Sequence, residues 1–97
     1  MALFRSQGAT IDTPRLIHNL GYVALHQSDL ARARALFIES LAAFRNYRSR
    51  RGVAECLAGL AAVALAQGDG TRAARLWGAA EALREAAGTA MWAADQA

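Results

Sequence analysis

Few residues in this 97-residue sequence have types and spacing that could do chemistry. Two histidines, His18 and His26, lie eight residues apart, roughly 12 Å along a helix. That separation is too long for two ligands of one metal ion, and no acid or cysteine completes a set. Ser40 and Cys56 fall at helix packing positions, without the base that a nucleophile needs. We therefore expect no catalytic residue, no metal site and no cofactor, and a protein that is not an enzyme.

The main concentration of charge is basic and consists of Arg45, Arg48, Arg50 and Arg51, with Tyr47 between them. Such a cluster could contact phosphates or an acidic partner, and the alternative is a solvated connector. The net charge of the chain is only +3, and it is spread along the sequence. Nucleic acid is therefore not an expected partner.

Composition predicts an all-helical protein, because Ala is abundant and Pro14 is the single proline. Every basic residue is Arg, a usage typical of GC-rich bacterial genomes. The single cysteine, Cys56, cannot form an internal disulfide and fits a reducing compartment. No signal peptide and no apolar stretch long enough for a membrane span is visible. These features favour a cytoplasmic protein that does not enter a membrane.

The elements that must position these residues recur along the chain with a period of 40, so that Leu20 is matched by Leu60. Ten residues are identical between 15–44 and 55–84, against roughly three expected by chance in so Ala-rich a chain. Phe37 is matched by another large aromatic residue, Trp77. Applying the same shift backwards and forwards predicts that residues 1–8 are the tail of a preceding repeat and residues 89–97 a cut end.

Each repeat is predicted to contain two helices, within residues 13–47 and 51–87, because apolar residues recur there at steps of three and four. The predicted boundaries carry residues that cap or stop helices. They are Thr13 and Pro14 at the first helix, Ser28 or Asp29 before the second, the connector Arg48–Gly52 before the third, and Asp69 and Gly88 on either side of the fourth.

These features resemble the tetratricopeptide repeat (TPR) family, whose motif combines a Leu-Gly pair and small residues with one large aromatic. The matching residues are Leu20, Gly21, Ala24, Ala33, Phe37 and Ser40 in the first repeat, and Leu60, Ala61, Ala64, Ala73, Trp77 and Ala80 in the second. The period is longer than the family motif of about 34 residues, and the proline that usually follows the second helix is missing. The resemblance implies one all-α domain over 1–97, an antiparallel helix-pair solenoid of about two full repeats plus partial ends.

The longer period is similar to that of C-terminal arrays in large bacterial regulators, such as LuxR-type activators and signal-transduction ATPases. Gln67–Asp69 and Arg72–Arg84 look like the turn and helix that often end those arrays. This resemblance implies a fragment of a bacterial regulatory or signalling protein that binds another protein or itself, as a homo-oligomer. The alternative is a small-molecule-sensing or DNA-linked domain of a transcriptional regulator.

The resemblance implies a partner-binding groove on the face of the first helix that would line the concave surface of a TPR array, and polar and aromatic residues lie on that face at helical steps. Its residues are Arg15, His18, Asn19, Tyr22 and His26. A solvated helix face is the alternative interpretation. The equivalent face in the second repeat is small and apolar, which is typical of a surface packed against another helix.

Overall fold

The computed structural model describes the backbone of residues 13–96 and the side chains of residues 13–86. Within that range the chain forms four α-helices and no strand, as the sequence predicts. They are α1 (Thr13–His26), α2 (Leu30–Asn46), α3 (Arg50–Ala66) and α4 (Gly70–Gln96). Each helix packs against the next, and α1 also touches α3. None of the helices in the described range is long and apolar enough to cross a membrane.

The three turns between helices share one backbone conformation. Their middle residues, Ser28, Arg48 and Gly68, have φ angles of 61°, 57° and 80° and are evenly spaced along the chain. The next residue in each turn donates its backbone N–H to the carbonyl five residues earlier at 2.9 Å, which satisfies a carbonyl that the helix end leaves free. Each repeat therefore divides into two equal halves, and each half is one helix with its turn.

The same turns also cap the helix that follows. Asp29 accepts a hydrogen bond from the N–H of Arg32 at 3.3 Å, and Asp69 accepts one from the N–H of Arg72 at 3.0 Å. Asp69 was expected to cap its helix, and of the two candidates Ser28 and Asp29 the structure selects Asp29. Ser49 does the same for α3 by accepting from the N–H of Gly52 at 3.1 Å. A cap of this kind stabilises a helix by about 1 kcal/mol.

Phe37 is the central residue of the core and is completely buried. A Cβ atom placed on Gly21 of α1 would lie 2.8 Å from the ring, and one placed on Gly59 of α3 only 2.5 Å from it. The ring therefore fills a slot between α1 and α3 that exists because both residues lack a side chain. The aromatic residue fills the gap to the next repeat, as the family resemblance implies.

Some predicted boundaries are wrong. The connector Arg48–Gly52 is too long, because α3 begins at Arg50, one residue before the predicted start at residue 51, and Gly52 is buried inside the helix. Gly88 does not end the fourth helix, which continues to Gln96. One glycine costs a helix only about 1 kcal/mol relative to Ala, and the neighbouring residues are mostly good helix formers. The first helix includes Thr13 itself. Residues 1–8 lie outside the described residues.

Candidate functional site

A buried polar cluster joins α1, α2 and α3. The Ser40 hydroxyl donates to the backbone carbonyl of Pro14 at 2.6 Å, and the Cys56 thiol donates to the Ser40 oxygen at 3.3 Å. The Cys56 sulfur also lies 3.6 Å from Nδ1 of His18. Because the single thiol proton is directed to Ser40, this network assigns a proton to Nδ1 of His18. Each of the three side chains thus finds a partner inside the fold.

Sequence reasoning missed this cluster. His18 and Cys56 are 38 residues apart, and Ser40 lies on a third helix, so no local spacing brings them together. The signal available was indirect. The matching positions one repeat later, Ala58 and Ala80, are apolar, which marks His18 and Ser40 as polar residues at packing sites.

Burial decides the charge of the cluster. It lowers the pKa of His18 below the usual value of 6.5; the Glu55 carboxylate opposes this shift and Arg15 adds to it. Burial also raises the pKa of the Cys56 thiol, which the hydrogen bond to Ser40 partly offsets. Both groups are therefore held neutral near pH 7. A thiolate beside an imidazolium, the pair that cysteine nucleophiles use, is disfavoured here.

The neutral state of His18 gives a prediction about pH. Its pKa is lower in the folded chain than in the unfolded chain, so the unfolded state binds more protons below about pH 6.5. The free energy of unfolding should therefore fall as the pH is lowered from 7 to 5. Urea denaturation across that range should show the fall in the wild type and a flatter profile in His18→Gln.

The second histidine provides the control for that experiment. His26 is exposed at the end of α1, so His26→Gln is the matched variant that removes a histidine outside the buried cluster. Equal slopes for the wild type and His18→Gln would contradict the role of His18.

The structure separates the five residues of the predicted groove. His18 is buried, with 6% of its surface exposed, and its ring lies edge-on to Tyr22 and Phe37 at centroid distances of 5.1 and 5.4 Å. Tyr22 is half-buried over the same core, 4.9 Å from the Phe37 ring. Asn19 and His26 are exposed. The binding role of the five residues stays a prediction, but His18 and Tyr22 are largely engaged in packing.

Arg15, the remaining groove residue, faces α3. Its guanidinium lies 3.1 Å from Oε2 of Glu55, and about half of its side chain is exposed. That carboxylate oxygen is buried and makes no hydrogen bond, so the contact is an ion pair without hydrogen-bond alignment. The Arg15 side chain also lies over the Phe44 ring, 5.8 Å from its centroid. Arg15 is thus engaged with α3 at one end of this face, whereas Asn19 and His26 on the same face stay exposed.

The equivalent face of the second pair is open. An apolar groove of about 420 Å³ runs between α3 and α4, and we call it the end face. Two of its side chains are well exposed, Trp77 at 50% and Leu65 at 67%. Its lining consists of Ala58, Ala61, Ala62 and Leu65 on α3 and Gly70, Ala73, Ala74 and Trp77 on α4. Phe37, which corresponds to Trp77, is fully covered because α3 packs over it.

The described residues contain no group of three or more His, Cys, Asp or Glu side chains that could hold a metal ion. Comparison with known families identifies the repeat. The family model for the tetratricopeptide repeat matches residues 12–87.

The chain belongs to the tetratricopeptide repeat family. Searches of curated proteins and of solved structures gave no match. TPR domains generally mediate contacts between proteins and are typically non-catalytic scaffolds, which agrees with the protein-interaction function expected from the sequence. In this TPR chain, the α1–α2 pair is covered by its successor, whereas the α3–α4 pair presents its apolar end face.

Proposed function

We propose that this chain is a protein-interaction module and that the end face is its docking surface for an α-helix. The observation that carries the proposal is Trp77. It occupies the motif position of Phe37, yet half of its surface is exposed to solvent. Exposed apolar surface of this kind marks interaction sites in soluble proteins.

The chain itself indicates what kind of element fits the end face. The equivalent surface of the first helix pair is covered by α3, which places the backbone of Gly59 against the Phe37 ring. A helix with a small residue opposite Trp77 would fit in the same manner. A second copy of the chain or another protein could supply such a helix, and we propose a homo-oligomer as the first case.

The likeness of Gln67–Asp69 and Arg72–Arg84 to the ends of bacterial regulator arrays extends the proposal. We propose that the module belongs to a bacterial regulatory protein of the cytoplasm and connects it to a partner. In such a setting the module would transmit partner binding to the rest of the regulator.

Self-association through the end face can be measured by light scattering over a range of concentrations. The wild type should form dimers or larger assemblies, and Trp77→Ala should raise the dissociation constant at least about tenfold, because buried Trp residues commonly dominate interfaces. Ile38→Ala is the matched control, since Ile38 is 44% exposed but lies outside the end face. A folded monomer at every concentration would contradict self-association, and equal assembly by both variants would contradict the end face.

A further inference from the structure

A second cavity lies at the turn between α2 and α3. Its volume is about 340 Å³, and it lies open to solvent at the start of α3. We call it the basic cavity because of the residues that line it. They are Arg45, Arg48, Ser49, Arg50, Val53 and Leu83.

The lining carries three guanidinium groups and no carboxylate. All three arginines are exposed, and no Asp or Glu is among the residues that line the cavity. The nearby helix start also favours anions, because the backbone N–H groups of its first turn point outward. The first turn of α3 contains no acidic residue. The basic cavity thus concentrates positive charge at one place.

The other two turns show that the fold does not require these arginines. Those turns have the same backbone conformation as the α2–α3 turn. The positions that correspond to Arg45, Arg48 and Arg50 are Leu25, Ser28 and Leu30 in the first turn and Leu65, Gly68 and Gly70 in the third. Since three uncharged residues form the same turn twice, turn formation does not account for the three arginines.

We propose that the basic cavity binds an acidic segment of a partner protein, in which carboxylate side chains flank an apolar residue. This proposal rests on the proposed function as an interaction module but uses a different surface. Arg guanidinium groups pair with carboxylates through two parallel hydrogen bonds, which gives such sites both affinity and specificity.

The floor of the cavity favours a peptide over a nucleic acid. Val53 and Leu83 offer apolar surface between the charged groups, which suits an aliphatic side chain of a peptide. A nucleic acid would need basic residues along several successive phosphates and exposed aromatic rings for the bases. The cavity lining contains no aromatic residue.

The test is fluorescence anisotropy with a labelled peptide in which four glutamates surround one leucine. The full chain should bind it with an affinity that falls as salt is added. The triple variant Arg45→Gln, Arg48→Gln, Arg50→Gln should lose at least about tenfold in affinity, because charge-assisted hydrogen bonds are removed. A peptide with serine in place of leucine should bind more weakly to the wild type.

The matched control changes the net charge equally at exposed sites outside the basic cavity. It is the triple variant Arg32→Gln, Arg34→Gln, Arg75→Gln, which should bind like the wild type. Circular dichroism checks that both triple variants remain helical. An equal loss in both triple variants, or tighter binding of a single-stranded oligonucleotide than of the peptide, would overturn the proposal.

The two proposed surfaces can fail independently. Trp77→Ala should still bind the acidic peptide, because Trp77 does not line the basic cavity. The cavity triple variant should still self-associate. A wild type that binds the peptide but stays monomeric overturns only the end-face proposal, and a wild type that self-associates but does not bind the peptide overturns only the basic-cavity proposal.

Discussion

Replacing Phe37 by Ala should lower the free energy of unfolding by about 3–5 kcal/mol, the range seen when a buried aromatic is truncated. The ring is fully buried and touches α1 and α3 at once, so its loss empties the contact between successive helix pairs. Domains of this size are stable by only about 5–15 kcal/mol, so the variant should be close to unfolding. Urea denaturation followed by circular dichroism measures the change.

Trp77→Ala is the control, because Trp77 occupies the same position one repeat later. Its ring is half exposed in the single chain, so at protein concentrations low enough to keep the chain monomeric, truncation removes fewer contacts and should cost less than about 1.5 kcal/mol. The comparison holds residue class and motif position constant while burial changes. If both truncations cost the same, the slot between Gly21 and Gly59 does not stabilise the fold as we infer.

Gly59→Ala should destabilise the protein by about 1–2 kcal/mol even though Ala is the better helix former. The added methyl would lie 2.5 Å from the Phe37 ring, far inside contact distance. The ring cannot retreat, because Gly21 of α1 closes the other side of the slot. Overpacking costs about 1–3 kcal/mol, which exceeds the gain of about 1 kcal/mol in helix propensity.

Gly78→Ala should have the opposite sign. Gly78 also lies within a helix, but a Cβ there would meet nothing within 4 Å. Only the propensity term remains, so the variant should be stabilised by about 0.5–1 kcal/mol. Paired melting curves test both substitutions. A stabilising Gly59→Ala would show that the helices can separate without cost.

Local sequence signals were sufficient where a structural feature depends on neighbours in the chain. Asp69 caps its helix as expected, and Asp29 was one of two expected candidates, because a cap needs only a short side chain and the N–H three residues later. The motif position of Phe37 was also predictable from the repeat, but its burial depends on α3, because Trp77 at the same position one repeat later is half exposed. The end of α4 was not predictable, because a helix that stops at Gly88 and one that continues through it differ in free energy by only about 1 kcal/mol.

Features that depend on contacts between different helices could not be predicted from the sequence. Neither His18 nor Cys56 carries a local sign that they approach to 3.6 Å, because that distance depends on the packing of α1 on α3. The small apolar face predicted on the third helix shares Ala58 and Ala62 with the end face but does not include Trp77. The basic cavity was seen only as a run of arginines, since Leu83 of α4 contributes to it from elsewhere in the chain.

In most repeat proteins the backbone and the side-chain packing repeat over the same length of chain. The matching turns at Ser28, Arg48 and Gly68 show that these two repeat lengths differ here. The path of the chain repeats with every helix and its turn, whereas side-chain packing repeats only with every second helix. A duplication or loss of a single helix with its turn would therefore preserve the course of the backbone. It would exchange the helices that carry glycine for those that carry the aromatic residue, and the slot around Phe37 would no longer form. Side-chain volume therefore determines which helices form a pair. The turns do not, because they have the same form after every helix.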